Sequence, residues 1–115
     1  MKYAPRSAAW YPRRGEVYLV LVDKERPAVI LSIDELNRHA LDVCVVPFTT
    51  VHHGAFSMRV PVQAGDGGLN RNCWAKCDQV TTIEKSFLHS PALGRLSAAA
   101  FQEIQDQVRT ALGLL

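Results

Sequence analysis

Five short runs of strand-forming residues, joined by segments too short for a crossover helix, constrain the fold of this chain more than any other feature. The runs are rich in Val, Leu, Ile and Tyr, which are typical of strands. They cover residues 16–22, 27–32, 41–46, 56–62 and 72–80. Parallel neighbours need a connection of about a dozen residues or more, whereas antiparallel neighbours need only a turn. The sequence therefore predicts an antiparallel sheet.

One helix is predicted, at the C-terminus, with Ser97 as its N-cap and Gly113 just past its end. Apolar residues recur along it at steps of three and four and make one apolar stripe. These residues are Phe101, Ile104, Val108 and Leu112. Because such a stripe must be buried, the helix should cover a face or an open end of the sheet. We expect a mainly β, α+β fold, a small curled antiparallel sheet or barrel with a C-terminal α-helix.

Length and composition indicate one globular domain. With 115 residues, 48% of them hydrophobic and 21% charged, the chain is typical of proteins that bury a core. Collagen-like and wholly disordered classes are excluded. Residues 1–14 mix proline, arginine and aromatic side chains without periodicity, which predicts a mobile or docked N-terminal tail. We expect a single domain over residues 15–115.

The sequence favours a soluble, cytoplasmic protein with no membrane contact. No apolar stretch approaches the roughly 18 residues that a membrane span needs, and no signal peptide is visible. Three cysteines are too few and odd in number for a disulfide framework. Cys73 and Cys77 suggest a zinc pair, but on one strand their α-carbons would lie about 13 Å apart. We favour the interpretation that they fill the core with Ala75, and we predict neither metal nor cofactor.

Charge alone does not indicate a nucleic-acid partner, because the formal net charge is only +2. Nine of the 13 Lys and Arg residues are Arg, whose planar guanidinium matches a phosphate group. Any contact with nucleic acid must therefore depend on a local group of residues.

Arg26 and the pair Thr49 and Thr50 are the first candidates for such a group. Arg26 directly precedes Pro27, whose fixed backbone could present the guanidinium rigidly. The alternative is a solvated loop arginine loosely paired with a neighbouring carboxylate. Thr49 and Thr50 follow a strand that we expect to end at Pro47, where their hydroxyls could donate to an anion. The alternative is that both hydroxyls only stabilise a turn.

A second candidate group lies in the predicted strand 72–80. Alternation would place Trp74, Lys76 and Asp78 on one face, with the last two about 7 Å apart. Such a trio could supply base stacking, phosphate contact and proton transfer. A cross-strand ion pair beside a partly buried tryptophan is the alternative.

His52 and His53, with Phe56 nearby, could form a loop that contacts bases, although adjacent loop histidines are usually only solvated. The sequence contains no phosphate-binding glycine motif, no paired zinc-ligand motif and no Ser-His-Asp order. Generic motifs therefore do not identify an activity.

Five segments, read in order, resemble the MazF/PemK family of toxin endoribonucleases. They are RRGEVYLV, ERPAVILS, VCVVPFTT, CDQVTTIEKSFL and GRLSAAAFQEIQDQVRTALGLL. The resemblance covers about residues 13–115. It implies an SH3-like barrel with a C-terminal helix, a homodimer, and metal-independent cleavage of single-stranded RNA at short sequences. It also implies a cognate antitoxin whose tail covers the RNA groove.

Carried over by position, the family's catalytic arginine falls on Arg26 and its catalytic threonine on Thr49. In the PemK/Kid branch a basic residue and an aspartate on a later strand also act, and Lys76 and Asp78 occupy their places. Lysine stands where that branch has arginine, so a bidentate phosphate clamp is not expected there. The link between the first two strands is also shorter than is usual in the family. The predicted RNA-binding residues are Thr50, His52, His53, Phe56, Trp74 and Gln79.

Without a metal site, cleavage would use the ribose 2′-hydroxyl as an internal nucleophile. Arg26 and Thr49 suit stabilisation of the charged phosphorane, whereas an arginine is a poor general base. Asp78 is the favoured base, assisted by Lys76 or Arg26 at the leaving oxygen, and His52 is the alternative. The competing hypothesis is a non-catalytic toxin or binding module on the same barrel, like CcdB.

Overall fold

The structure is a computed structural model that describes residues 9–21, 24–52 and 58–114. The strands, in chain order, are β1 (Glu16–Leu21), β2 (Glu25–Ile30), β3 (Asp42–Thr49), β4 (Arg59–Val62), β5 (Cys73–Lys76), β6 (Thr81–Glu84) and β7 (Leu88–Arg95). The α-helices are α1 (Asp34–His39) and α2 (Ala98–Leu112), and short 3₁₀ turns cover Asp66–Gly68 and Lys85–Phe87.

All seven strands belong to one antiparallel sheet in the order β4-β5-β3-β2-β1-β7, with β6 on the same edge of β3 as β5. The mainly β fold with a C-terminal helix that the sequence predicts is confirmed. Within the described residues the outer strands β4 and β7 do not pair with each other, so the sheet is open and does not close into a barrel.

The central strands are buried on both faces, which explains why they show continuous apolar runs instead of strict alternation. One cluster lies between the sheet and α2 and includes Val17, Val29 and Phe48. The other lies on the opposite side of the sheet and includes Tyr18 and Ile30. The tail residue Trp10 packs on this second cluster, with its ring 6.0 Å from that of Tyr18. Residues 1–8 lie outside the described part of the chain.

Helix α2 begins and ends where the sequence predicts. The Ser97 hydroxyl accepts a hydrogen bond from the backbone of Ala100 at 3.2 Å, and Gly113 ends the helix in the left-handed conformation. Ile104 and Val108 are buried against the sheet, whereas Leu112 at the end of the predicted stripe is exposed. No helix in the described ranges is long and apolar enough to cross a membrane.

The C-terminal limits of two predicted strands are wrong by three residues or more. Strand β3 continues through Pro47 to Thr49. The missing N–H is tolerated because β3 changes its partner there from β6 to β5. The predicted strand 72–80 ends at Lys76, and a turn separates β5 from β6.

Strand β7 was not predicted. It contains Pro91 and Gly94, two residue types that weaken a strand pattern. It pairs only with β1 among the described strands, and such an edge position is where these residues are tolerated in a sheet.

Candidate active site

A recess of about 210 Å³ lies at the ends of β2 and β3 and contains both residues of the predicted catalytic pair. We call it the first recess. It is lined by Lys24, Arg26, Pro27, Phe48, Thr49, Thr50, Val51 and Cys73. The β2–β3 pairing explains why Arg26 and Thr49 lie close together, because Ala28 lies opposite Pro47. Arg26 and Thr49 are each two residues from this pair, so their side chains lie on the same face of the sheet.

Arg26 lies within β2 and not in a link before it, since the hairpin with β1 continues past Pro27. Its backbone is opposite Val20, and its side chain is half-buried with the Nε atom fully enclosed. The guanidinium is thus held by a strand, as expected of a rigidly presented cation, and the solvated-loop alternative does not describe it.

Thr49 ends β3 and has Trp74 of β5 as its cross-strand partner. Its Oγ1 accepts a hydrogen bond from the Val51 backbone N–H at 3.1 Å. A hydroxyl that accepts in this way still carries its own proton. Thr49 can therefore donate that proton to an oxygen placed in the first recess. Thr50 is exposed at the rim of the same recess.

Beside this recess, the outer face of β4 and β5 carries aromatic and basic side chains. Lys76 pairs with Arg59 across the two strands. The rings of His52 and Trp74 stack with centroids 4.2 Å apart and planes inclined at 32°. Because Trp74 is opposite Thr49, this aromatic pair adjoins the predicted catalytic threonine.

Two basic residues that the sequence analysis did not select also belong to this region. Lys24 lines the first recess. Arg59 donates from Nη1 to the Val51 carbonyl at 2.8 Å and so fixes the turn that begins at Thr49. The only sequence signal for Arg59 is its place in a predicted strand, because its role depends on pairing with a distant segment.

Lys76, Asp78 and Gln79 lie at the opposite end of β5 and do not line the first recess. The Gln79 N–H donates to the Lys76 carbonyl at 2.9 Å and closes a turn that carries Asp78 on the surface. The strand alternation that predicted one face for Lys76 and Asp78 is therefore absent. Two other predicted RNA contacts, His53 and Phe56, lie outside the described residues.

The predicted core role of the cysteines is confirmed, since Cys73, Ala75 and Cys77 are all buried. Burial raises the pKa of the Cys77 thiol to about 12, and the charge of Asp78 adds to this effect. Burial likewise raises the pKa of Cys73, against a smaller opposing effect of Arg71. In the ranges that the structure describes, no three His, Cys, Asp or Glu residues are grouped as a metal site would need.

Comparison with known proteins gives a consistent result. Residues 13–112 match the family described as PemK-like, MazF-like toxin of type II toxin-antitoxin system. The chain is 30% identical to endoribonuclease MazF9 of Mycobacterium tuberculosis, over 89% of this chain and 97% of that protein.

Solved structures with the same fold include an endoribonuclease in complex with its cognate antitoxin from a mycobacterial species. The TM-score is 0.78 at 31% identity, over 90% of this chain and 97% of the other. The Mycobacterium tuberculosis toxin MazF-mt6 gives a TM-score of 0.77 at 30% identity, over 87% and 98% of the two chains. The chain therefore belongs to the PemK-like, MazF-like family of toxins of type II toxin–antitoxin systems, as its ordered motifs predict.

Proposed function

We propose that this chain cleaves single-stranded RNA in the first recess, with Arg26 and Thr49 acting on the scissile phosphate. The prediction of an endoribonuclease toxin is confirmed at the level of the family, which favours it over the CcdB-like alternative. The observation that carries the proposal to particular residues is that Arg26 and Thr49, from different strands, line one recess.

The reaction needs no external nucleophile. The 2′-oxygen of the ribose attacks the adjacent phosphorus, the bond from phosphorus to the 5′-oxygen breaks, and a 2′,3′-cyclic phosphate and a 5′-hydroxyl result. One proton leaves the 2′-hydroxyl and one reaches the 5′-oxygen. The Arg26 guanidinium and the Thr49 hydroxyl donate hydrogen bonds to the phosphoryl oxygens, where negative charge grows in the transition state.

Proton transfer has two candidate bases, Asp78 and His52. Asp78 holds the position of the aspartate that acts in the PemK/Kid branch, but it lies on a surface turn beyond the end of β5. His52 stacks on Trp74, which is the cross-strand partner of Thr49. This contact supports His52 as the base more strongly than Asp78. Arg26, which lines the recess, would assist the leaving oxygen, and Lys76, two residues from Trp74 on β5, is the alternative.

RNA would lie across the first recess and the adjoining outer face of β5. Trp74 and His52 present aromatic rings beside this recess for contact with bases, and Thr50 could donate to a phosphate. Gln79, at the turn after β5, could contact a base at the far end of this surface. The predicted contacts of His53 and Phe56 extend the proposal to residues that the structure does not describe.

We propose a cytoplasmic homodimer formed by one domain at residues 15–115 behind the N-terminal tail, with RNA bound across both subunits. We also propose that a cognate antitoxin segment, acidic and aromatic, competes with RNA for this surface. The support for an antitoxin is that the mycobacterial endoribonuclease described above was solved in complex with its own.

Incubation of the purified chain with single-stranded RNA in EDTA tests the proposal. We expect cleavage at a limited set of sequences, and no cleavage of DNA of the same sequence, because DNA lacks the 2′-hydroxyl. RNA that stays intact in EDTA and is cut only after magnesium or zinc is added would contradict the metal-independent mechanism. RNA that is bound but never cut would favour the CcdB-like alternative.

A further inference from the structure

A second recess, of about 360 Å³, adjoins the first. The two share Pro27, Thr50 and Cys73 in their walls, so they form one continuous depression across the ends of β2, β3 and β5. The far wall of the second recess is apolar and includes Leu19 and Leu93. Its volume falls in the range of sites that take small organic groups, about 300–1,000 Å³, whereas the first recess is smaller.

Two polar side chains, Asn70 and Arg71, border this second recess. The backbone is held on both sides of this pair: the Leu69 carbonyl accepts a hydrogen bond from the Gly65 N–H at 2.7 Å, and the Arg71 carbonyl accepts one from the Cys73 thiol at 3.3 Å. Both side chains are exposed, and neither forms a hydrogen bond or an ion pair within the described part of the chain. A fixed backbone therefore presents an amide and a guanidinium to a ligand.

We propose that the second recess binds the nucleotide next to the cleaved bond, with Asn70 reading its base and Arg71 holding its phosphate. The proposal rests on the proposed function of the first recess. An amide both donates and accepts, so it can form a pair of hydrogen bonds with a base edge. A guanidinium matches the oxygens of a phosphate, and the apolar wall suits the flat face of a base.

The base-reading part is tested by cleavage of a randomised RNA library, with the new ends sequenced. Asn70→Ala should weaken the base preference at one position beside the cleaved bond by about tenfold, the order of discrimination of a bidentate contact. Asn70→Asp should shift that preference toward bases with an amino group at the contacted edge, because a carboxylate only accepts. Arg109→Ala, which alters an exposed arginine on α2, is the control and should leave the preference unchanged.

The phosphate-holding part is tested by binding of an RNA that carries 2′-deoxyribose at the cleavage position and therefore stays intact. Arg71→Ala should weaken binding and lower the slope of log Kd against log salt concentration by about 0.7, the value for one lost phosphate contact on a single strand. Arg71→Lys should restore most of the slope, since it keeps the charge. Arg109→Ala should leave the slope unchanged.

The two proposals fail in different ways. If the unaltered chain does not cut RNA, the proposed function fails and this inference fails with it. If the unaltered chain cuts RNA while the Asn70 and Arg71 variants keep its base preference and its salt slope, only the second recess is refuted. Asn70→Asp and Arg71→Lys change exposed side chains conservatively, so they remain informative if an alanine variant folds poorly.

Discussion

Arg26 and Thr49 lie on neighbouring strands, and strand pairing fixes the backbone of each. Arg26 is opposite Val20 with its Nε atom enclosed, and Thr49 is fixed by its bond to Val51. Groups positioned before substrate arrives need no reorganisation when charge develops on the phosphate. The proposed catalysis therefore depends on two donors preorganised in one recess.

Loss of the Arg26 guanidinium should be costly for the reaction. We expect Arg26→Ala to lower the single-turnover rate on single-stranded RNA about a hundredfold or more, as for other donors to transition-state charge. The melting temperature should change by no more than about 4 °C. Arg109→Ala is the matched control and should change neither quantity. A folded Arg26→Ala that retains the parental rate would remove Arg26 from the reaction.

Burial of the Cys77 thiol makes the free energy of unfolding depend on pH in the alkaline range. Its pKa is about 12 in the folded chain against 9.0 for an unperturbed thiol. Between these values the unfolded chain has lost a proton that the folded chain retains, so the free energy of unfolding should fall as pH rises. Urea titrations from pH 8 to about 11 should show this fall and a smaller one for Cys77→Ala. Equal slopes for both proteins would contradict the assignment.

The residue-level predictions from sequence were best where a motif fixed the position. Arg26 and Thr49 are identified by family motifs, and the structure places them together. Position alone favoured ordinary loop and turn roles for both, because pairing between distant strands is not visible in a local pattern. Lys24 and Arg59 were missed for the same reason. Strand alternation did not place Asp78 correctly, because β5 ends at Lys76 and does not continue to residue 80.

Strands β5 and β6 pair with successive parts of β3 and are separated by a turn. Ala75 pairs with Phe48 and Thr81 with Val45, so the chain uses six steps on one side for three on the other. The extra residues form the turn that carries Asp78 and Gln79. Within the run 72–80, Cys77 and Val80 are apolar and pack on the core, so apolar residues recur through this turn. Hydrophobic pattern could not reveal the break.

The 3₁₀ turn before β5 is pressed against β7, and glycine makes this possible. A Cβ on Gly68 would lie 2.0 Å from the Leu93 carbonyl oxygen, whereas a Cβ on Gly65 would meet nothing within 4 Å. Both glycines have positive φ, 77° and 96° respectively. Comparing substitutions at Gly68 and Gly65 therefore separates the cost of a backbone clash from the cost of the strained backbone conformation.

We expect Gly65→Ala to cost about 1–2 kcal/mol of unfolding free energy from its conformation. Gly68→Ala should cost a further 1–3 kcal/mol, roughly, because the Leu93 backbone must move. Chemical denaturation of the two variants measures the difference. Equal destabilisation would show that β7 and the turn are not in the close contact described.

At the scale of the whole molecule, the antiparallel sheet and terminal helix could be predicted because their signals are local. Short connections require antiparallel neighbours, and α2 has both of its caps in sequence. The order of the strands and the open edges of the sheet depend on which strands pair at a distance. These features could not be predicted from local patterns.

Homodimer formation is the prediction that concerns the whole molecule. Several large apolar side chains remain exposed in the described chain, including Leu41 and Leu114. We expect sedimentation at micromolar concentration to give about twice the 12.8 kDa mass of one chain. A strict monomer that still cleaves RNA would contradict the dimer and a groove shared between subunits.

The chemistry of the cut ends distinguishes attack by the ribose 2′-hydroxyl from other routes of RNA cleavage. A defined RNA oligonucleotide is cleaved in EDTA and the products are weighed by mass spectrometry, beside an oligonucleotide with one 2′-deoxyribose at the cleaved position. Attack by the 2′-hydroxyl predicts a 2′,3′-cyclic phosphate, a 5′-hydroxyl and an intact deoxy-substituted strand. Products with a 3′-hydroxyl and a 5′-phosphate, or cleavage of the deoxy-substituted strand, would contradict the account.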